Sequence, residues 1–162
     1  MRPTLSRIVA TTALALAAMA PLAHAGDNTA PHFTLRDLDG KTFKLAELRG
    51  KPIVLDFWAT WCGPCRASMP HLSALQERYA AQGLVVLGLS LDDLPAPQVR
   101  RFADRLGVRF RLAMADEQVM DAYGPIRSIP TTFFISRKGE VVRRVVGYID
   151  RETMEAYVRE LF

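Results

Sequence analysis

The chain is poor in the residues that staple or ligate. Among its 162 residues there are two cysteines and three histidines. Two cysteines cannot build the disulfide framework by which small secreted domains make up for a small core. Nor can they complete a structural zinc site, which needs four ligands, because His24, His32 and His71 show no ligand spacing. Past residue 25 no apolar run is long enough to span a bilayer. Charge of one sign is scarce as well. Arg2 and Arg7 carry two of the 21 basic residues into residues 1–25, which hold none of the 17 acidic ones, so residues 26–162 have a net charge of +2. So small an excess argues against a dedicated nucleic-acid or membrane surface. Internal repeats and low-complexity tracts are also absent.

The N-terminal stretch has its own logic. Two arginines precede an uncharged, largely apolar run from Ile8 to Leu22, and Ala23-His24-Ala25 offers a small-x-small cleavage site before Gly26. This three-part pattern reads as a secretory signal peptide over residues 1–25, the alternative being an uncleaved N-terminal anchor. Residues 26–162 then suit one domain with one core. The protein is expected in the periplasm, soluble once the leader is removed.

Both cysteines fall in one stretch, Asp56-Phe57-Trp58-Ala59-Thr60-Trp61-Cys62-Gly63-Pro64-Cys65. An apolar run, Ile53-Val54-Leu55, feeds into it as a buried strand. A helical pattern leaves it, with apolar residues at Cys65, Met69, Leu72, Leu75 and Tyr79. Cys62 therefore sits at or just before a helix start, where free N–H groups and the positive dipole end stabilise a thiolate. Two intervening residues let the sulfurs meet within one turn. Gly63 allows close backbone approach, and Pro64 suits the first helical turn because no ladder N–H is lost. Cys62, the more exposed sulfur, reads as the attacking nucleophile and Cys65 as the resolving thiol. A purely structural disulfide is the weaker alternative, since so short a loop constrains little of the unfolded chain.

Periodicity places the remaining elements. Phe33-Thr34-Leu35 and Thr42-Phe43-Lys44-Leu45 alternate around Asp39-Gly40 as a hairpin, and Leu45–Gly50 reads as one helical turn. Pro70 is expected to kink the helix after Cys65, and Gly83 to close it. Leu84 to Leu91 is a strand buried on both faces. Val99, Phe102, Ala103 and Leu106 mark an amphipathic helix whose Arg100, Arg101 and Arg105 read as a solvated face. Val108 to Met114 alternates as a half-exposed strand, and Asp116 caps a short helix ending near Gly124. Thr131–Ser136 and Val141–Tyr148 are strands around a turn, and Asp150 caps a last helix carrying Met154, Tyr157, Val158 and Leu161.

Trp61-Cys62-Gly63-Pro64-Cys65 resembles the active-site motif of the thioredoxin superfamily, and Ile126–Thr132 resembles its cis-proline segment. With its leader, hairpin and insertion over 92–107, the chain is most similar to the TlpA/ResA-like extracytoplasmic branch. The resemblance implies an α/β thioredoxin fold: a mixed central sheet with helices on both faces, an N-terminal β-hairpin and a central insertion. It implies a periplasmic thiol-disulfide oxidoreductase without cofactor or metal, reducing disulfides in exported proteins such as apocytochrome c or copper-site assembly proteins.

The resemblance also implies roles. Asp56, inside an apolar strand, is a buried proton acceptor for Cys65, with a pKa raised by desolvation; an Asp at a wet strand end is the alternative. A cis Pro130 brings the Ile129 backbone beside Cys62 for strand-like pairing with substrate. Trp61, Gly63 and Pro64 complete the substrate surface, although Trp61 is equally readable as a cap on the core edge. Arg66 adds positive charge favouring the thiolate, or is a solvated helix residue. Partners are protein substrates and a membrane-embedded electron donor of the DsbD or CcdA type; no nucleic acid is involved, and the chain is a monomer.

Three rivals use the same residues. A DsbA-like oxidase would run the pair in reverse, yet Gly63-Pro64 resembles the reducing members. A Cu(I) carrier would use the soft thiolates but would want a third ligand. A peroxidase of the peroxiredoxin kind would need proline and threonine where Leu55 and Ala59 stand. Members that mature cytochromes often place glutamate after the cis-proline, and Thr131 stands there instead, which leaves the substrate open.

Overall fold

The computed structural model describes residues 28–162; the leader assigned to residues 1–25 lies outside them. The alternating segments around Asp39-Gly40 pair as β1 (Thr34–Arg36) and β2 (Thr42–Lys44), with Gly40 in the left-handed conformation that the turn needs. A 3-10 turn, Leu45–Leu48, leads to β3 (Ile53–Trp58), which is buried at all six positions. The helix α1 (Gly63–Arg78) follows and continues through Pro70. It ends before Gly83, which instead closes an intervening 3-10 turn, Ala80–Gln82. Then come β4 (Val85–Ser90), α2 (Ala96–Arg105) and β5 (Arg111–Met114). The chain finishes with α3 (Glu117–Ala122), β6 (Thr131–Ile135), β7 (Val141–Val146) and α4 (Arg151–Arg159). Asp116 and Asp150 cap α3 and α4 as expected, accepting N–H bonds from Val119 and Thr153.

Two strands are shorter than their alternation suggests. β5 begins at Arg111 rather than Val108 because the backbone before it is engaged elsewhere. The Val108 N–H donates to Ala103 O, and the Arg109 N–H to Ser73 Oγ. The expected alternation holds from Val108 to Leu112, with Arg109 and Arg111 exposed, and breaks at Ala113, which is buried. β7 stops at Val146, and the next N–H, of Gly147, turns back to Pro130 O at 2.7 Å.

The main sheet has the order β5-β4-β3-β6-β7, with β3, β4 and β5 parallel and β6 and β7 antiparallel additions. Strand parity divides β3 between two cores. Val54 and Trp58 face α1, α2 and α4, packing with Met69, Val99 and Met154. Leu55 and Phe57 face the hairpin and α3, packing with Phe33, Phe43, Val119 and Tyr123. This is the expected mixed sheet covered on both faces, with α2 as the insertion. Trp58 lies so close over β4 that a Cβ on Gly88 would sit 3.2 Å from its Nε1 and 2.5 Å from Leu112 Cδ2, so any side chain there would have to displace Leu112. Among the described residues no helix is long and apolar enough to cross a membrane.

Candidate active site

The central strand and the helix that follows it determine where the cysteines lie. The buried run of β3 ends at Trp58, and the chain turns through Ala59–Cys62, closed by the Cys62 N–H donating to Ala59 O at 3.1 Å. Cys62 is the N-cap of α1, with extended backbone, and its Sγ accepts the Cys65 N–H at 3.2 Å. A sulfur there meets an unpaired helical N–H and the positive end of the helix dipole. The first turn of α1 holds no acidic residue that would oppose a thiolate. Gly63 and Pro64 occupy the first two helical positions, both exposed. Cys62 and Cys65 are joined by a disulfide bond. Cys62 keeps 5% of its surface exposed and Cys65 none, so Cys62 is the one of the pair that reaches solvent.

Beneath the cysteines lies Asp56. It shares the β3 face of Val54 and Trp58, the face against which Cys65 is buried. It is 1% exposed, which rules out the wet strand end. Its Oδ1 accepts the Thr132 hydroxyl at 2.7 Å from the paired position on β6, while its buried Oδ2 has no hydrogen-bond partner. Burial disfavours the charged form and raises the pKa to about 7, with the Thr132 bond opposing in part. This is the shift expected for a group that exchanges protons near neutral pH.

The second predicted segment arrives at the same end of the sheet. Phe57 of β3 pairs with Thr131 of β6, so Pro130 lies level with the start of the cysteine loop. The Ile129–Pro130 bond is cis. Thr131 Oγ1 donates to Ser128 O at 2.6 Å, and Pro130 O accepts the Gly147 N–H. Trp61 and Ile129 together line an open groove of about 320 Å³, with Leu91, Ile126, Arg127 and Ser128. Trp61 is 68% exposed, so it is no cap on the core. The Arg66 guanidinium reaches back over the helix start, 3.8 Å from where a Gly63 Cβ would be.

One residue escaped the sequence reading. Asp92, the first residue of the stretch read as the insertion, is buried just beyond β4 and bonds to the cysteine loop. Its Oδ2 accepts the Thr60 N–H at 2.9 Å and the Ser90 hydroxyl at 2.6 Å. Its Oδ1 accepts the Thr60 hydroxyl at 2.5 Å. Three donors on one carboxylate fix the loop two residues before Cys62. The only local signal was an acidic residue immediately after a doubly buried strand.

Among the described residues no group of three or more His, Cys, Asp or Glu is placed to hold a metal ion. The arrangement is that of a dithiol pair with one accessible sulfur, a titratable carboxyl below it and an apolar groove beside it. Such a site can exchange disulfides.

Comparison with known proteins agrees. Residues 27–144 match the AhpC/TSA family. The chain is 38% identical over 138 residues to the thiol-disulfide oxidoreductase ResA of Halalkalibacterium halodurans, covering 85% of this chain and 77% of that one. It is 36% identical over 135 residues to ResA of Geobacillus thermodenitrificans, covering 83% and 76%. A crystal structure of a thiol:disulfide interchange protein DsbE from Chlorobium tepidum superposes with a TM-score of 0.76 at 33% identity, covering 83% of this chain and 96% of that one.

Proposed function

The chain belongs to the AhpC/TSA family of the thioredoxin superfamily and is a thiol-disulfide oxidoreductase, and from that premise we propose that it reduces disulfides in exported proteins, in the periplasm, after removal of residues 1–25. The observation that carries this reading is Cys62 at the N-cap of α1, the one cysteine that reaches solvent, beside the fully buried Cys65 and Asp56.

In the reduced protein the Cys62 thiolate attacks one sulfur of a substrate disulfide. A Cys62–substrate disulfide forms, and the other substrate sulfur leaves as a thiolate. Cys65 then gives its proton to the Asp56 carboxylate and attacks Cys62 Sγ. The Cys62–Cys65 disulfide closes, and the second substrate thiolate departs. The substrate gains two electrons and the protein loses two. Trp61, Ile129 and Pro130 hold the extended substrate segment during the exchange, with backbone pairing at Ile129. A membrane-embedded dithiol donor of the DsbD or CcdA type returns the electrons. The apolar groove favours a protein substrate; Thr131 after the cis-proline leaves apocytochromes c as one class among exported proteins.

Replacing Cys65 with serine stops the cycle at the mixed disulfide. The C65S protein should accumulate reductant-sensitive adducts with exported proteins, and the Cys62→Ser protein none. Absence of adducts from C65S would contradict this order of steps.

A further inference from the structure

A second groove, of about 270 Å³, opens at Thr60 of the cysteine loop. It is lined by Thr60, Leu94, Gln98, Arg101, Phe102 and Arg105. Its floor is apolar. Phe102 stacks on Trp58 with ring centroids 6.5 Å apart, and Leu94 leaves 42% of its surface exposed. Its rim carries two arginines, Arg101 and Arg105. Arg100, one residue away, is held by Asp104 at 2.7 Å and approached by Asp39 at 4.0 Å. Arg101 and Arg105 form no ion pair among the described residues; Arg105 instead lies 5.6 Å from the Phe102 ring centre. None of the nearby acids pairs with Arg101 or Arg105: Asp92 is turned inward to Thr60 and Ser90, Asp104 is taken by Arg100, and Asp93 is exposed beside Leu94 without an ion pair. Arg66 beside Gly63 and Arg127 in the Trp61 groove are likewise exposed and form no ion pair among the described residues.

We propose that the Arg101–Arg105 groove is a docking site for an acidic segment of the protein whose disulfide Cys62 attacks. This rests on the exchange activity proposed above and adds the chemistry of its substrate. Guanidinium groups with no internal carboxylate are the donors an incoming Asp or Glu would meet, and the Phe102–Leu94 floor would take an apolar neighbour. The groove begins at Thr60, two residues from Cys62, so the segment binds while the disulfide lies at the sulfur. Charges on such a rim act mainly on the rate of encounter.

The test uses two peptides with the same disulfide, one flanked by Asp and Glu, the other by Ser and Gln. Both are reduced by the unmodified protein, by Arg101→Gln/Arg105→Gln, and by Lys51→Gln/Lys138→Gln, an equal loss of charge at the opposite end of the sheet. At low salt the unmodified protein should favour the acidic peptide in kcat/KM by about tenfold. That preference should vanish in Arg101→Gln/Arg105→Gln and at high salt, and persist in the distant variant. Equal rates in the unmodified protein, or a preference that survives Arg101→Gln/Arg105→Gln, would overturn the proposal. If neither peptide is reduced, the exchange activity fails, and titration with serine-for-cysteine peptides still decides the groove. NMR shifts at Arg101 and Arg105 with the acidic peptide alone support it, and their absence overturns it. Binding to anionic vesicles lost in Arg101→Gln/Arg105→Gln, without discrimination between peptides, would assign the groove to a lipid surface instead.

Discussion

Asp56 and Asp92 are both buried below the cysteine loop, at 1% and 7% exposure, and their surroundings differ in one respect. Asp56 receives a single neutral donor, the Thr132 hydroxyl, and its second oxygen has none. Asp92 receives the Thr60 N–H and two hydroxyls, spread over both oxygens. Depth is nearly equal, so the number of donors separates them. A carboxylate short of donors cannot hold its charge in an apolar core and retains its proton to about pH 7. A carboxylate supplied with donors ties together the segments that supply them. The first suits a group that moves a proton, the second one that holds a loop in place.

Replacing Asp56 with asparagine should break the comparison with the largest effect. Between about pH 4 and pH 7 the folded chain keeps the Asp56 proton that the unfolded chain has released, so stability falls as pH rises through that window and levels off above it. A shift from 3.8 to about 7 corresponds to about 4 kcal/mol. Denaturant unfolding should therefore find Asp56→Asn more stable than the parent by up to about 4 kcal/mol at pH 8, with little difference at pH 4. The same variant should resolve mixed disulfides about 100-fold more slowly. A variant no more stable at pH 8 than the parent would show that Asp56 is not the strained group described.

Asp92→Ala should act in the opposite direction. It leaves the Thr60 N–H without its acceptor and removes the bond tying the loop to β4. Stability read by denaturant unfolding should drop by about 3 kcal/mol. Thr132→Val sharpens the contrast with a smaller change. It removes the one donor that Asp56 has, so the inflection seen by stability or by resolution rate should move upward from about pH 7 by about one unit, which is about 1 kcal/mol.

The same contrast explains what sequence could and could not supply. Asp56 was legible because an acid inside Ile53–Trp58 interrupts an otherwise apolar strand, and strand parity then assigns its face. Asp92 was not, because its role depends on Thr60, 32 positions away. The order of strands and helices followed from apolar spacing and from the caps Cys62, Asp116 and Asp150. The early end of α1 and the late start of β5 did not follow, because hydrogen bonds from neighbouring elements, such as Ser73 Oγ with Arg109, decide them. Pro130 was placed by resemblance alone. The unpaired state of Arg101 and Arg105 depends on where Asp39 and Asp104 point, which no periodicity encodes.

The central claim is that the Cys62–Cys65 pair works as a reductant, and its reduction potential tests this most directly. Residues 26–162 would be equilibrated with dithiothreitol or glutathione buffers at pH 7 and the oxidised fraction read by thiol alkylation. The account predicts a value near that of thioredoxin, about −270 mV. A value near that of DsbA, about −120 mV, would make the protein an oxidant and contradict it.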